Sequence, residues 1–171
     1  VKTDGEHIYL VSGNNVSILK AYPPKEAELL SKITFNNDTY PIGIFASRDR
    51  LVVLGSKYTI PSRSYYPAFV MDIKTFVNIY DISDKTQPAL LKGFMMSGSY
   101  FNSRMIGDYV YFVVSQPAFV VYDTVILPKI YSDEGFREIS ASEIQYSDAS
   151  DNYFMFTTVV ALNMQKIAEE P

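Results

Sequence analysis

The residues that could carry out chemistry are few and scattered along the chain. His7 is the only histidine, and the sequence contains no cysteine. A Ser/His/Asp triad would have to use His7, and a zinc site would need carboxylates for its remaining ligands. His7 stands at the start of a strand-like segment, where we expect a surface residue at the strand edge. We therefore predict no catalytic, metal-binding or cofactor-binding residue, and we favour a non-enzymatic protein over an enzyme.

Three close pairs of carboxylates are candidates for binding calcium or acting as paired acids. The calcium-loop pattern with its glycine and terminal glutamate is absent, and paired acids are recognised by their separation in space. We interpret Asp81 and Asp84 as turn residues. Asp148 and Asp151 fall in a polar loop. We favour the interpretation that both are solvent-exposed loop residues, and the alternative is that they bind a cation weakly. The pairs are Asp81 with Asp84, Asp133 with Glu134, and Asp148 with Asp151.

Aromatic and arginine side chains are concentrated between residues 57 and 74. Tyr and Arg are enriched where binding energy concentrates at interfaces, so this segment is the predicted interaction surface. The alternative is that its aromatic rings pack the segment onto its own sheet. The same two interpretations apply to Phe119, Tyr122 and Tyr131. The predicted surface consists of Tyr58, Arg63, Tyr65, Tyr66 and Phe69.

Composition excludes several classes of protein. Apolar residues make up 47% of the chain and the net charge is −4, with acidic and basic residues interspersed. A nucleic-acid partner would require a basic patch, which is absent, and no apolar run reaches the ~18 residues that a membrane helix needs. The 14 Tyr and 11 Phe, together with many Val and Ile, favour strands over helices. We therefore predict neither nucleic-acid binding nor membrane insertion.

The chain repeats itself. Three segments share one pattern, in which a polar turn is followed by an apolar run that ends at a small polar residue. We call this pattern the template. The first two are 43 residues apart when His7 is matched with Arg50, and the next spacing, from Arg50 to Tyr109, is 59. Further strand-like segments surround each template. The templates are residues 4–12, 48–56 and 107–115.

Each repeat is predicted to contain four antiparallel strands. In the central copy these are residues 41–47, 51–56, 75–82 and 89–96. Four strands per repeat, a period near 43 and turn-rich connections are typical of a β-propeller blade. The prediction is an all-β single unit over 1–171, comprising two and a half to three blades. The blades are about 1–36, 41–98 and 101–171, with loop insertions at about 57–74 and 116–156.

The insertions occupy the same joint of their blades, so we expect them to project from one side. In the second, residues 120–126 are apolar enough for a strand. Ser140, with Glu143 three residues later, could cap a short helix. Residues 24–33 have a helical composition, but the repeat alignment favours a strand at their end. Gly93, Gly98 and Gly107 are assigned to turns.

Two segments of the sequence resemble a known family. Residues 78–91 (NIYDISDKTQPALL) are similar to strand-turn-strand segments of bacterial and archaeal surface propellers. Residues 100–114 (YFNSRMIGDYVYFVV) resemble secreted proteins with a C-terminal β-propeller domain distantly related to WD-repeats. The resemblance implies an exported, extracytoplasmic protein at the cell surface or beyond it. It supplies no catalytic or ligand-binding residue.

The predicted function is a non-enzymatic binding scaffold for an unidentified protein or glycan ligand. One alternative is part of the wall of a carbohydrate-acting propeller enzyme, which would place polar residues such as Asn102 and Arg104 on inner strands. The other is a structural spacer of a cell-surface protein. A propeller ring needs four or more blades, and open ends of a repeat array expose apolar faces. We therefore expect this segment to self-associate.

Overall fold

The structure is a computed structural model that describes residues 1–59, 72–121, 123–146 and 154–166. Within that part of the chain the regular structure is strand, apart from two short 3₁₀ helices, Pro24–Glu26 and Ala141–Glu143. The strands form antiparallel sheets, three of which follow one another along the chain. The predicted all-β fold class is confirmed.

The first sheet is a meander of four strands hydrogen-bonded in chain order. The opening strand is only two residues long, and the helix Pro24–Glu26 precedes the last strand. Residues 24–33 therefore contain both a helical turn and the strand that the repeat alignment favoured. The strands are β1 (Lys2–Thr3), β2 (His7–Ser12), β3 (Asn15–Lys20) and β4 (Glu28–Thr34).

The central sheet contains the second repeat. Its middle pair is longer than the repeat alignment predicted, because pairing runs from Arg50↔Asp81 to Thr59↔Asp72. The sheet thus extends into the span predicted as an insertion. Its four repeat strands are β5 (Thr39–Ser47), β6 (Arg50–Thr59), β7 (Asp72–Asp81) and β8 (Ala89–Ser97).

The third sheet contains three strands of the last repeat, and a long connection joins two of them. β9 (Ser99–Ile106), β10 (Tyr109–Pro117) and a final strand, Met155–Asn163, make up the sheet. Within 120–126, predicted as one strand, Val120–Val121 and Thr124–Val125 pair as two short antiparallel strands, and Asp123 has a φ of 61°. The connection contains β11 (Val120–Val121), β12 (Thr124–Val125), β13 (Lys129–Ser132) and β14 (Gly135–Glu138), and the final strand is β15.

The hairpin of β13 and β14 joins the central sheet rather than its own. β13 pairs with β8 at Ile130↔Met96 and Tyr131↔Met95, and the backbone N–H of Lys129 donates to Ser97 Oγ over 2.7 Å. The central sheet therefore has six strands, in the order β14-β13-β8-β7-β6-β5. The hairpin covers part of an edge strand that would otherwise present unpaired backbone groups.

Burial on both faces of the central sheet holds the three sheets together. Four consecutive residues of β6, from Leu51 to Leu54, are fully buried. Because successive strand residues point to opposite faces, this pattern requires a partner on each side. Leu51 and Val53 pack with Tyr9 of the first sheet, while Val52 and Leu54 pack with Phe112 of the third. Sheets stacked face to face in chain order are the arrangement of propeller blades.

Candidate binding cleft

Only one residue of the predicted interaction surface lies in the described part of the chain. Tyr58 is near the end of β6, where its ring packs edge-on against Tyr40 at 5.6 Å between centroids. Its backbone N–H donates to the Asp38 carbonyl over 2.8 Å. Tyr58 is thus half-buried against its own sheet. The other four residues, Arg63, Tyr65, Tyr66 and Phe69, lie outside the described residues, and the surface stays a prediction.

His7 belongs to a small network at the first turn of the chain. Its Nδ1 lies 3.3 Å from both carboxylate oxygens of Asp4, and the Tyr9 hydroxyl donates to Asp4 Oδ2 over 2.8 Å. Burial pushes the pKa of Asp4 upward, but hydrogen bonds from the His7 backbone and the Tyr9 hydroxyl outweigh it and leave that pKa lowered. The network fixes the turn between β1 and β2.

Asp81 and Asp84 hold the turn that follows β7. Asp81 accepts from the Ser83 backbone over 2.8 Å and from Arg50 Nη1 over 3.0 Å. Asp84 accepts from the backbone and the hydroxyl of Thr86 over 2.8 and 2.6 Å. Hydrogen bonds from Ser83 and Thr86 lower the pKa of the respective carboxyls. Both carboxylates are therefore used as the sequence suggested, in stabilising the turn.

The described part of the chain contains no group of three His, Cys, Asp or Glu side chains able to hold a metal ion. Asp133 and Glu134 are exposed in the turn between β13 and β14. Asp148 and Asp151 lie outside the described residues. Among the described helices, none is both long and apolar enough to cross a membrane.

An open cleft of about 420 Å³ lies between the end of β4 in the first sheet and strands β6 to β8 of the central sheet. We call it the inter-sheet cleft. Residues 34–36, at the end of β4, form one wall, and alternate residues of β7 form the floor. The turn from Tyr131 to Asp133 of the hairpin closes one side. The volume lies within the range of small-molecule binding sites, about 300–1,000 Å³.

The floor of the cleft contains a polar pair in an otherwise apolar interface. Phe76, Asn78 and Tyr80 point from the same face of β7, and Asn78 Nδ2 donates to the Tyr80 hydroxyl over 3.2 Å. Among the described residues, neither Asn78 Oδ1 nor the Tyr80 proton has a further protein partner. Tyr80 is 7% exposed, and burial raises the pKa of its hydroxyl, which stays protonated at neutral pH.

Gly93 keeps the space above this pair open. It is paired with Asn78 in the middle of β8, so its assignment to a turn was wrong. A Cβ at this position would lie 3.0 Å from Asn78 Oδ1. Glycine weakens a strand and often marks close approach of another group. Here its missing side chain exposes the Asn78 amide to the cleft.

Aromatic rings and two opposite charges complete the lining. Phe35 and Phe76 lie 5.3 Å apart between centroids at a 41° angle, and Tyr131 lies beneath the ammonium group of Lys74 at 4.8 Å. Lys57 and Asp133 also line the cleft, and Lys57 Nζ is 3.8 Å from Asp38. The arrangement offers apolar surface together with a few converging polar groups, which is typical of ligand sites.

Comparison with known proteins identifies the family. A model of the β-propeller domain matches residues 1–171, the whole chain. The chain therefore belongs to the β-propeller domain family. Comparisons with curated proteins and with solved structures gave no match.

Proposed function

We propose that this chain is a non-enzymatic binding segment of an exported β-propeller protein, and that a ligand occupies the inter-sheet cleft. Export, a place at the cell surface and a distant relation to WD-repeats rest on the resemblance of residues 78–91 and 100–114. A C-terminal position in the parent protein rests on the same resemblance. The binding role rests on the fold, which presents large surfaces, and on the cleft.

The observation that carries the proposal is the open polar pair in the cleft floor. Interfaces between stacked sheets are expected to be apolar, and a polar residue on the buried face of a strand is unusual. Asn78 and Tyr80 keep hydrogen-bonding capacity at such an interface beyond the bond that they share. Gly93 leaves the Asn78 amide open to the cleft instead of covering it. A ligand that reached both groups would use this capacity.

Binding is favoured over catalysis because the titratable groups around the cleft are not arranged as an acid and a base. Tyr80 is held protonated by burial, which raises its pKa, and Lys57 is near Asp38. General acid–base catalysis uses a positioned group whose pKa lies near the working pH. The carbohydrate-acting alternative placed Asn102 and Arg104 on an inner strand; both are exposed on β9, as residues that line a channel would be, and that alternative stays a prediction.

The test is nuclear magnetic resonance with isotope-labelled protein and a chemically mixed set of small-molecule fragments. We expect backbone amide shifts to cluster at Phe35, Asn78 and Gly93. Gly93→Leu, which fills the space beside Asn78, should abolish these shifts while those elsewhere persist. Shifts that avoid the cleft throughout, or that survive Gly93→Leu unchanged, would refute the site.

We also propose that copies of this segment associate by continuing the stack of sheets. Matching His7, Arg50 and Tyr109 makes Tyr9, Val52 and Tyr111 equivalent. Tyr9 and Val52 are fully buried against the following sheet, whereas Tyr111 is 37% exposed. On the first sheet, the residues at positions equivalent to Leu51 and Val53 are also only half-buried. A second copy can therefore place its first sheet against this third sheet, with the same kind of contact.

Light scattering behind a sizing column measures this association. We expect a dimer or larger species for the unmodified chain, and a monomer for Tyr111→Lys, because a charge on that face disfavours burial. Tyr146→Lys is the matched control, since Tyr146 is 87% exposed and belongs to none of the strands, and it should assemble normally. A monomeric unmodified chain at all concentrations would contradict the proposal.

A further inference from the structure

We infer that the ligand of the inter-sheet cleft is a neutral sugar ring, either a free sugar or a sugar unit of a glycan. This inference rests on the proposed binding role of the cleft and names the chemical class that the cleft selects. It is argued from the hydrogen-bonding capacity of Asn78 and Tyr80, and from the aromatic rings beside them.

The polar pair offers an acceptor and donors side by side. Asn78 Oδ1 can accept a hydrogen bond, and the Tyr80 hydroxyl can donate one while it accepts from one of the two N–H groups of Asn78 Nδ2. Turning the amide over again leaves both kinds of group, since Tyr80 would then donate to Asn78, the amide N–H groups would be free donors and the Tyr80 oxygen could accept. The pair is thus complementary to a group that both donates and accepts.

A hydroxyl is such a group, whereas charged groups are not. A carboxylate only accepts and an ammonium only donates, so a carboxylate would leave Asn78 Oδ1 without a donor and an ammonium would leave the Tyr80 O–H without an acceptor. Lys57 and Asp133 carry opposite charges on the rim, which gives the cleft no preference for one sign of ligand charge. Hydroxyl-bearing neutral ligands therefore satisfy the floor best.

Phe35 adds an apolar ring beside the polar pair. It is half-buried at the end of β4 and packs on Phe76, which is only 3% exposed. The ring of Tyr131 on the hairpin is instead in contact with Lys74 and Phe136. A sugar ring has hydroxyls at its edge and C–H groups on its faces. It can place an edge hydroxyl on the Asn78–Tyr80 pair while its C–H face packs against a ring. The volume of about 420 Å³ leaves room for it.

The experiment titrates the full chain with neutral monosaccharides and their disaccharides, followed by calorimetry and by saturation-transfer magnetic resonance. We expect at least one sugar to bind. Tyr80→Phe, which removes only the hydroxyl group, should weaken sugar binding by about 3- to 10-fold. Asn78→Leu should weaken it at least as much without lowering the melting temperature, because leucine suits the apolar interface. Asn102→Leu, on the exposed strand β9, should bind sugar normally.

The outcomes separate the two proposals. Mixed fragments that perturb the cleft, with no neutral sugar bound at millimolar concentration, would overturn the sugar class while leaving the binding site in place. Binding of amino acids or carboxylates in preference to sugars would do the same. Sugar affinity unchanged in both Tyr80→Phe and Asn78→Leu would also overturn the inference. Binding of monosaccharides would indicate a free sugar, and binding of disaccharides alone a glycan.

Discussion

Replacing Gly55 with alanine is expected to lower the free energy of unfolding by at least about 3 kcal/mol, at the upper end of overpacking costs. A Cβ at Gly55 would lie 2.1 Å from the Tyr40 carbonyl oxygen and 2.9 Å from the Ile42 nitrogen. Both are backbone atoms of the neighbouring strand β5, which cannot yield as a flexible side chain can. Chemical denaturation followed by circular dichroism measures the change.

Gly13→Ala is the matched control for this substitution. Gly13 has a φ of +59°, and a Cβ added there would meet no atom within 4 Å, so alanine costs only backbone strain, about 1–2 kcal/mol. If Gly55→Ala proved no less stable than Gly13→Ala, β5 would not approach β6 as closely as described. A Gly55→Ala chain that fails to fold while Gly13→Ala folds agrees with the expected result.

Gly55 also shows why strand pairing is harder to predict than strands. The repeat template placed Gly55 at the end of an apolar run, in agreement with its place in β6. The close approach arises from a bulge in β5 between Pro41 and Gly43, which shifts the facing backbone. Such an irregularity depends on the pairing of two strands, and alternation within one strand contains no information about it.

The hairpin of β13 and β14 is a second feature that could not be predicted from the sequence. Its strands are four residues each, and its attachment to the central sheet consists of two residue pairs with β8. Local sequence signals were sufficient to predict the capping box of Ser140 and Glu143, which lies at the start of a 3₁₀ helix. They were insufficient for a contact between Tyr131 and Met95, which lie far apart in the chain.

The cleft had a partial signal in the sequence. Asn78 interrupts the apolar face formed by Phe76 and Tyr80, and a polar residue on the buried face of a strand is unusual. What makes it a candidate site is Gly93 opposite, whose position follows only from the register of β7 with β8. The interpretation of the aromatic segment 57–74 as the interaction surface uses its residue types and its position as an insertion, and it stays a prediction.

Replacing Phe112 with alanine is expected to lower the free energy of unfolding by about 3–5 kcal/mol. Phe112 is fully buried between the central and third sheets, and its ring lies 6.5 Å from that of Phe94. The substitution leaves a cavity that packed sheets cannot close. The same loss should loosen the inter-sheet cleft, because its Tyr131 wall belongs to the connection between β10 and β15 of the third sheet.

Hydrogen exchange separates these two effects of Phe112→Ala. The backbone amides of Phe112 and Val160 should lose protection first, those of Ile130 and Tyr131 should follow, and those of Tyr9 and Val16 in the first sheet should change least. Phe101→Ala, at a position 74% exposed on β9, should alter stability by only about 0.5 kcal/mol. Equal loss of protection in all three sheets would mean that they unfold as one unit. Unchanged protection at Tyr131 would mean that pairing with β8 alone holds the hairpin, and the cleft would then depend on the first two sheets only.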